Sequence, residues 1–176
     1  MYQKQEQIGE KRYMLTTLVL TLLMCALLFL MIWSAVYFLP WKGLMDFFPE
    51  DIKEKAIYHK PPFRTAPVIG WICMILCMLG FIGVIIYGGW DGRQRGFTFA
   101  QFLVRFLIIL FGVKGFDIIG LDLILITKTH FFQHYFPETE GCAGYHNFGF
   151  NRKEQIKQCI IMPFAALLTA WVCTLI

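Results

Sequence analysis

Apolar residues crowd into four stretches, about 14–39, 66–89, 98–127 and 156–176, with polar segments between them. A helix needs about 20 apolar residues to cross the roughly 30 Å hydrocarbon core of a bilayer, and each stretch is that long. The pattern predicts an all-α integral membrane protein, a four-helix transmembrane bundle forming one domain over residues 1–176. Residues 1–12 read as a frayed polar start. The apolar run after them is too long for a cleaved leader and reads as a retained signal anchor. Tyr13, Tyr37 and Trp41 bracket this first span as interfacial anchors, and Tyr87 with Trp90 closes the second.

The segments between the spans carry structure of their own. In loop 1, Pro49 followed by Glu50 and Asp51 opens a helix, with acids where the dipole favours them. Phe48, Ile52 and Ala56 recur every four residues, which predicts a short amphipathic helix on the membrane surface until Pro61-Pro62 stops it. The turn from Asp91 to Gly96 makes spans two and three antiparallel neighbours, packed through Gly80, Gly83, Gly112, Gly115 and Gly120. Thr98 with Gln101 reads as a capping box for span three, which continues through KTHFFQHYF to Pro137. Asn151 with Glu154 starts the last helix near Arg152, with Pro163 as a kink and Ala166/Ala170 as a packing face. Loop 3 is expected to be ordered.

Span three changes the picture, because it carries Arg105, Lys114, Asp117 and Asp122. Charge inside a bilayer is costly and faces other helices, water or another charge. Lys114 and Asp117 lie near the middle at i, i+3 and pair on one face. Arg105 lies on the opposite side of the helical wheel, and it and Asp122 are placed to snorkel towards opposite interfaces. The blander reading is an ion pair that only offsets its own burial. The sharper reading is a polar cavity for a small ligand, built from Lys114, Asp117, Asp122 and Arg105 with Glu140 and Tyr145 above, loop 3 closing over it as a glycine-hinged lid.

Loop 3 offers a second chemistry. His130 and His134 stand one helical turn apart, and Cys142 and His146 follow, with His59 in reach from loop 1. Such donors suit a divalent metal, although Phe131 occupies the place of the glutamate in H-E-x-x-H. The competing reading is an aromatic interfacial helix with imidazoles among the headgroups. The six cysteines form no framework: Cys25, Cys73, Cys77 and Cys173 read as packing residues, and only Cys142 and Cys159 lie where a bridge can form. Ser34 is the only serine and lies in a span, which excludes serine hydrolase chemistry, and no phosphate loop or nucleophile elbow is present.

The net charge of +4 is dispersed, so nucleic acid is excluded as a partner and the lipid bilayer is the expected one, with a second copy or a membrane subunit beside it. Four spans put loops 1 and 3 on one side. They carry nine basic residues against five at the N-terminus and short turn, which favours cytoplasmic loops, with Lys11-Arg12 pulling the other way. The function expected is binding or translocation of a small polar or ionic ligand. The alternatives are a membrane-embedded enzyme using the His/Glu/Cys loop, or an accessory subunit.

Overall fold

The computed structural model describes residues 2–39, 48–56 and 60–175, and these are helical with no strand among them. Trp41 and His59, singled out above, lie outside the described residues. In chain order come α1 (Tyr2–Phe38), α2 (Glu50–Ala56), α3 (Ala66–Gln94), α4 (Phe99–Gly115), a π-helical segment (Phe116–Lys128), α5 (Phe131–Tyr135), two short 3-10 turns (Pro137–Thr139 and Ala143–His146) and α6 (Arg152–Leu175). Three helices are long and apolar enough to cross a membrane, within Lys11–Phe38, Ala66–Gln94 and Arg152–Leu175.

The surface is inside out by the standard of a water-soluble domain. Leu22, Ile86 and Phe164 are 67%, 66% and 68% exposed, and rows of neighbours on α1, α3 and α6 are exposed with them. In water each such side chain forgoes roughly 1.5–3 kcal/mol of burial, whereas lipid solvates it.

α1 is the hub: it packs along α3 and along α4, and α4 packs in turn along α6. Gly70 and Gly80 of α3 therefore abut the α1 segment, and it is Gly88 and Gly92 near the end of α3 that meet Phe106 and Phe102 of α4. A methyl group on Gly70 would come within 2.9 Å of the Phe38 and Leu39 side chains, and one on Gly80 within 2.9 Å of Leu27. Gly112 of α4 likewise meets Thr21 of α1, and Gly83 and Gly115 meet nothing. The expected glycine seam between spans two and three is corrected accordingly. Thr17 and Thr21 are buried but donate back to their own helix, to Tyr13 O and Thr17 O. Ala166 and Ala170 do form a buried packing face, set against Phe102, Phe106 and Ile109.

Several boundaries differ from expectation for local reasons. The polar start is helical from Tyr2, and α3 runs on to Gln94 before Gly96, at φ +69°, turns the chain. The expected continuation of span three to Pro137 fails at Thr129, which is extended at φ −108° and ψ 161°. The apolar face of α2 is turned to protein. Its buried Ile52 and Ala56, with Phe48, pack into a second core against Phe132, Phe136, Cys142 and Tyr145, so loops 1 and 3 form one module at one end.

Candidate functional site

α4 starts where the sequence predicts. Gln101 N donates to Thr98 Oγ1 at 3.4 Å and Thr98 N donates to Gln101 Oε1 at 2.9 Å, closing the capping box. From Phe116 the backbone widens to the i→i+5 register, seen at its end in Thr129 N donating to Ile124 O at 3.0 Å. The change matters for Asp117 and Asp122. In an α-helix residues five apart point about 140° away from each other. In a π register they fall on one face, about 50° apart, and π turns recur at functional positions.

Both carboxylates consequently face one polar row on α6. Gln155 Nε2 donates to Asp122 Oδ2 at 2.7 Å and reaches Asp117 Oδ2 at 3.5 Å, and Asn151 Nδ2 donates to Asp122 Oδ2 at 3.1 Å. Lys114 Nζ pairs with Asp117 Oδ2 at 2.7 Å, as its i, i+3 spacing requires, and also donates to Gln158. With one ammonium against two carboxylates, the cluster carries one surplus negative charge when all three are ionised. Sequence reading assigned Asn151 only to helix capping and passed over Gln155 and Gln158. Their i, i+4, i+7 spacing along an otherwise apolar face was the available signal.

Asp122 also meets loop 3. It lines a cavity of about 30 Å³ with Phe48, Pro49, Thr127, Gly144 and Asn151, room for a water beside the carboxylate. Thr127 lies between this cavity and a larger one of about 310 Å³ lined by His130, Gln133, Glu140 and His146. The lid contact with Asp122 is therefore made by the Gly144–Asn151 part of the loop. Lys114 and Asp117 line neither cavity, so the single chamber expected to join all the polar residues is two adjoining ones.

Two expected members belong elsewhere. Arg105 is fully buried and neither snorkels nor reaches the Lys114 cluster. Its Nη2 lies 2.9 Å from Asp91 Oδ2 as an ion pair, its Nη1 donates to Gly88 O at 2.7 Å, and its guanidinium lies over the Phe97 ring, 4.4 Å from the centroid. Asp91 is also held by Arg95 at 3.0 Å, and Tyr13, expected at the lipid interface, turns in against Phe97. Tyr145 is likewise structural. Its hydroxyl pairs with Thr139 Oγ1 at 2.7 Å inside the loop core, and burial pushes it up to about 12 against the opposing pull of that hydrogen bond.

The metal set separates. Among the described residues no group of three or more His, Cys, Asp or Glu side chains converges on one point. His130, Cys142 and His146 border the larger cavity, but His134 sits at the edge of the Tyr135 ring and lines neither cavity. The Cys142 thiol donates instead to Asp51 O at 3.6 Å. His130 and His134 keep their one-turn spacing, His134 N donating to His130 O at 3.0 Å, but the His134 ring is taken up by Tyr135. All six cysteines are free, so Cys142 and Cys159 form no bridge.

Loop 3 is held down by loop 1. Asp51 Oδ2 accepts from Gly144 N at 2.8 Å, and a side chain at Gly144 would collide with Asp51 and Pro49, so this close approach requires glycine. No family model, curated protein or solved structure matches this chain.

Proposed function

We propose that the chain is a four-span integral membrane protein that binds a small cation, a proton included, at Asp122 between the third and fourth spans. The observation that carries this reading is the surplus carboxylate. Lys114 neutralises Asp117, while Asp122 is met only by neutral amides and opens on a water-sized cavity. Even half-buried, a carboxylate without a fixed countercharge is costly, and a cation relieves that cost.

The span count rests on lengths. α4 contributes 17 residues, about 26 Å, short of the roughly 30 Å core, and the π segment that follows supplies the remainder. The packing of α2 against loop 3 supports an even number of crossings, since both loops then leave the bilayer on one side. Their basic residues favour the cytoplasmic face. The larger cavity then serves as the vestibule through which the cation reaches Asp122.

The test is thermal unfolding of the purified protein in lipid nanodiscs, titrated with sodium or potassium against choline at constant ionic strength, and with pH. A ligand held at a hundred times its Kd stabilises by about 2.7 kcal/mol. The wild type should gain stability from one small cation or from acid, and Asp122→Asn, which keeps an amide-compatible acceptor, should fold but lose that response. Identical responses from the two proteins would sink the proposal.

A further inference from the structure

Asp122 uses its two carboxylate oxygens differently. Oδ2 accepts from Asn151 Nδ2 at 3.1 Å and from Gln155 Nε2 at 2.7 Å. Oδ1 meets no donor among the described residues and is not sealed off, so it is the oxygen open to the water-sized cavity. Few groups stand ready to join it there. Thr127 Oγ1 is turned to the Asp122 carbonyl, 2.8 Å away, and Phe48, Ile126, Phe148 and Phe150 give the cavity apolar walls.

The charges near Asp122 are Lys114 and Asp117 on its own segment, paired with each other at 2.7 Å. From α6 it faces only the neutral amides of Asn151 and Gln155. Among the described residues, loops 1 and 3 bring no ionisable side chain to this cavity. Asp51 is engaged by Gly144 N, and Lys128, His130, Glu140 and His146 border the larger cavity beyond Thr127.

We propose that the ligand of this site is the proton and not a metal cation, which rests on the cation reading of Asp122. A hard metal cation collects about six oxygen ligands or more. Here both side chains that touch the carboxylate turn N–H groups to it, and a cavity of about 30 Å³ has room for one water. A metal ion would need those amides reversed and further oxygens brought in. A proton needs neither. It bonds to Oδ1, the new O–H donates to a water in the cavity, and Oδ2 keeps both amide donors as the carbonyl oxygen of the acid. The balance is simple: a hydronium gives one proton to the carboxylate and leaves as water. No hydrogen bond of the network breaks, and the cluster of Lys114, Asp117 and Asp122 becomes neutral. Asn151 and Gln155 are thus specificity-determining: their N–H groups hold the carboxylate and deny a metal ion its oxygens.

Difference infrared spectroscopy of the full-length protein in lipid nanodiscs separates the two ligands, because a protonated carboxyl has a carbonyl band that a carboxylate lacks. A step to acid should raise such a band in the wild type, and Asp122→Asn should lose it. The midpoint of the band should stay fixed as sodium, potassium or calcium replaces choline at constant ionic strength. A metal competing for the same oxygen would lower that midpoint by about one pH unit for each tenfold rise in its concentration. Asn151→Asp, nearly isosteric, turns oxygens towards Asp122 and should introduce the metal dependence. A metal-dependent midpoint in the wild type overturns this inference and leaves the cation reading standing. An acid band that survives in Asp122→Asn belongs to another carboxyl and overturns it as well. An Asn151→Asp protein as indifferent to metal as the wild type refutes the role given to the amides. The absence of any Asp122 signal in both titrations removes the cation reading itself.

Discussion

One helix, α4, delivers a basic side chain to each of two buried clusters, and the two are built on opposite principles. Arg105 enters a closed site. Its partners are a carboxylate on α3, a backbone carbonyl and an aromatic face, and Asp91 is shared with a second arginine. Lys114 enters an open one. Its carboxylate partner lies on the next turn, neutral amides of α6 complete the set, and the adjacent Asp122 reaches a cavity under loop 3. Both basic side chains are almost wholly out of contact with the surroundings. Burial of charge alone therefore does not mark a functional site in this chain. What sets the second cluster apart is a surplus charge with a route to the outside, and the proposed cation site rests on that difference.

The sharpest way to break this distinction is at Arg105. Arg105→Ala empties a fully buried site and leaves Asp91, 7% exposed, to Arg95 alone, and should lower unfolding stability by about 3–5 kcal/mol in detergent denaturation. A variant as stable as the wild type would show that the cluster is not a latch. Lys114→Ala should cost less, about 1–3 kcal/mol, because Gln155 still reaches Asp117 and the site is part-exposed. The paired change Lys114→Met with Asp117→Leu should recover most of that loss, since apolar replacement of a whole buried pair is often neutral. If the pair loses as much as the two single changes together, the Lys114 cluster is also a latch and the distinction fails. The smallest effect belongs to the roof over Asp122. Tyr145→Phe removes one hydrogen bond to Thr139 and should cost about 0.5–1.5 kcal/mol. Because burial raises the folded Tyr145 hydroxyl from 10.0 to about 12, the unfolded chain loses its proton first. The contribution is whole below pH 10 and is lost as pH rises towards 12. Phenolate absorbance of the folded protein should show a late-titrating component, and a Tyr145→Phe protein in which that component is undiminished would refute the assignment.

What the amino-acid sequence determined by itself is what neighbours one turn apart decide. The apolar stretches, the Thr98 and Gln101 cap, the α6 start at Arg152, the Ala166/Ala170 face and the Lys114–Asp117 pair all follow from spacings of three or four residues or from run length. The wheel also separated Arg105 from Lys114 correctly, though not the helix that Arg105 meets. Tertiary structure alone decided the rest: the π register that aligns Asp122 with Asp117, the choice of Asp91 as partner for Arg105, the burial of α2 against loop 3 and the placing of His134 away from the cavity that His130 and His146 border. The physical reason is that lipid and protein interior are equally apolar to a leucine. Hydropathy thus locates a span but carries no record of which face meets another helix. Once the helices are packed, each buried charge takes the partner within its reach, and in this chain those partners come from helices that spacing along one segment does not connect.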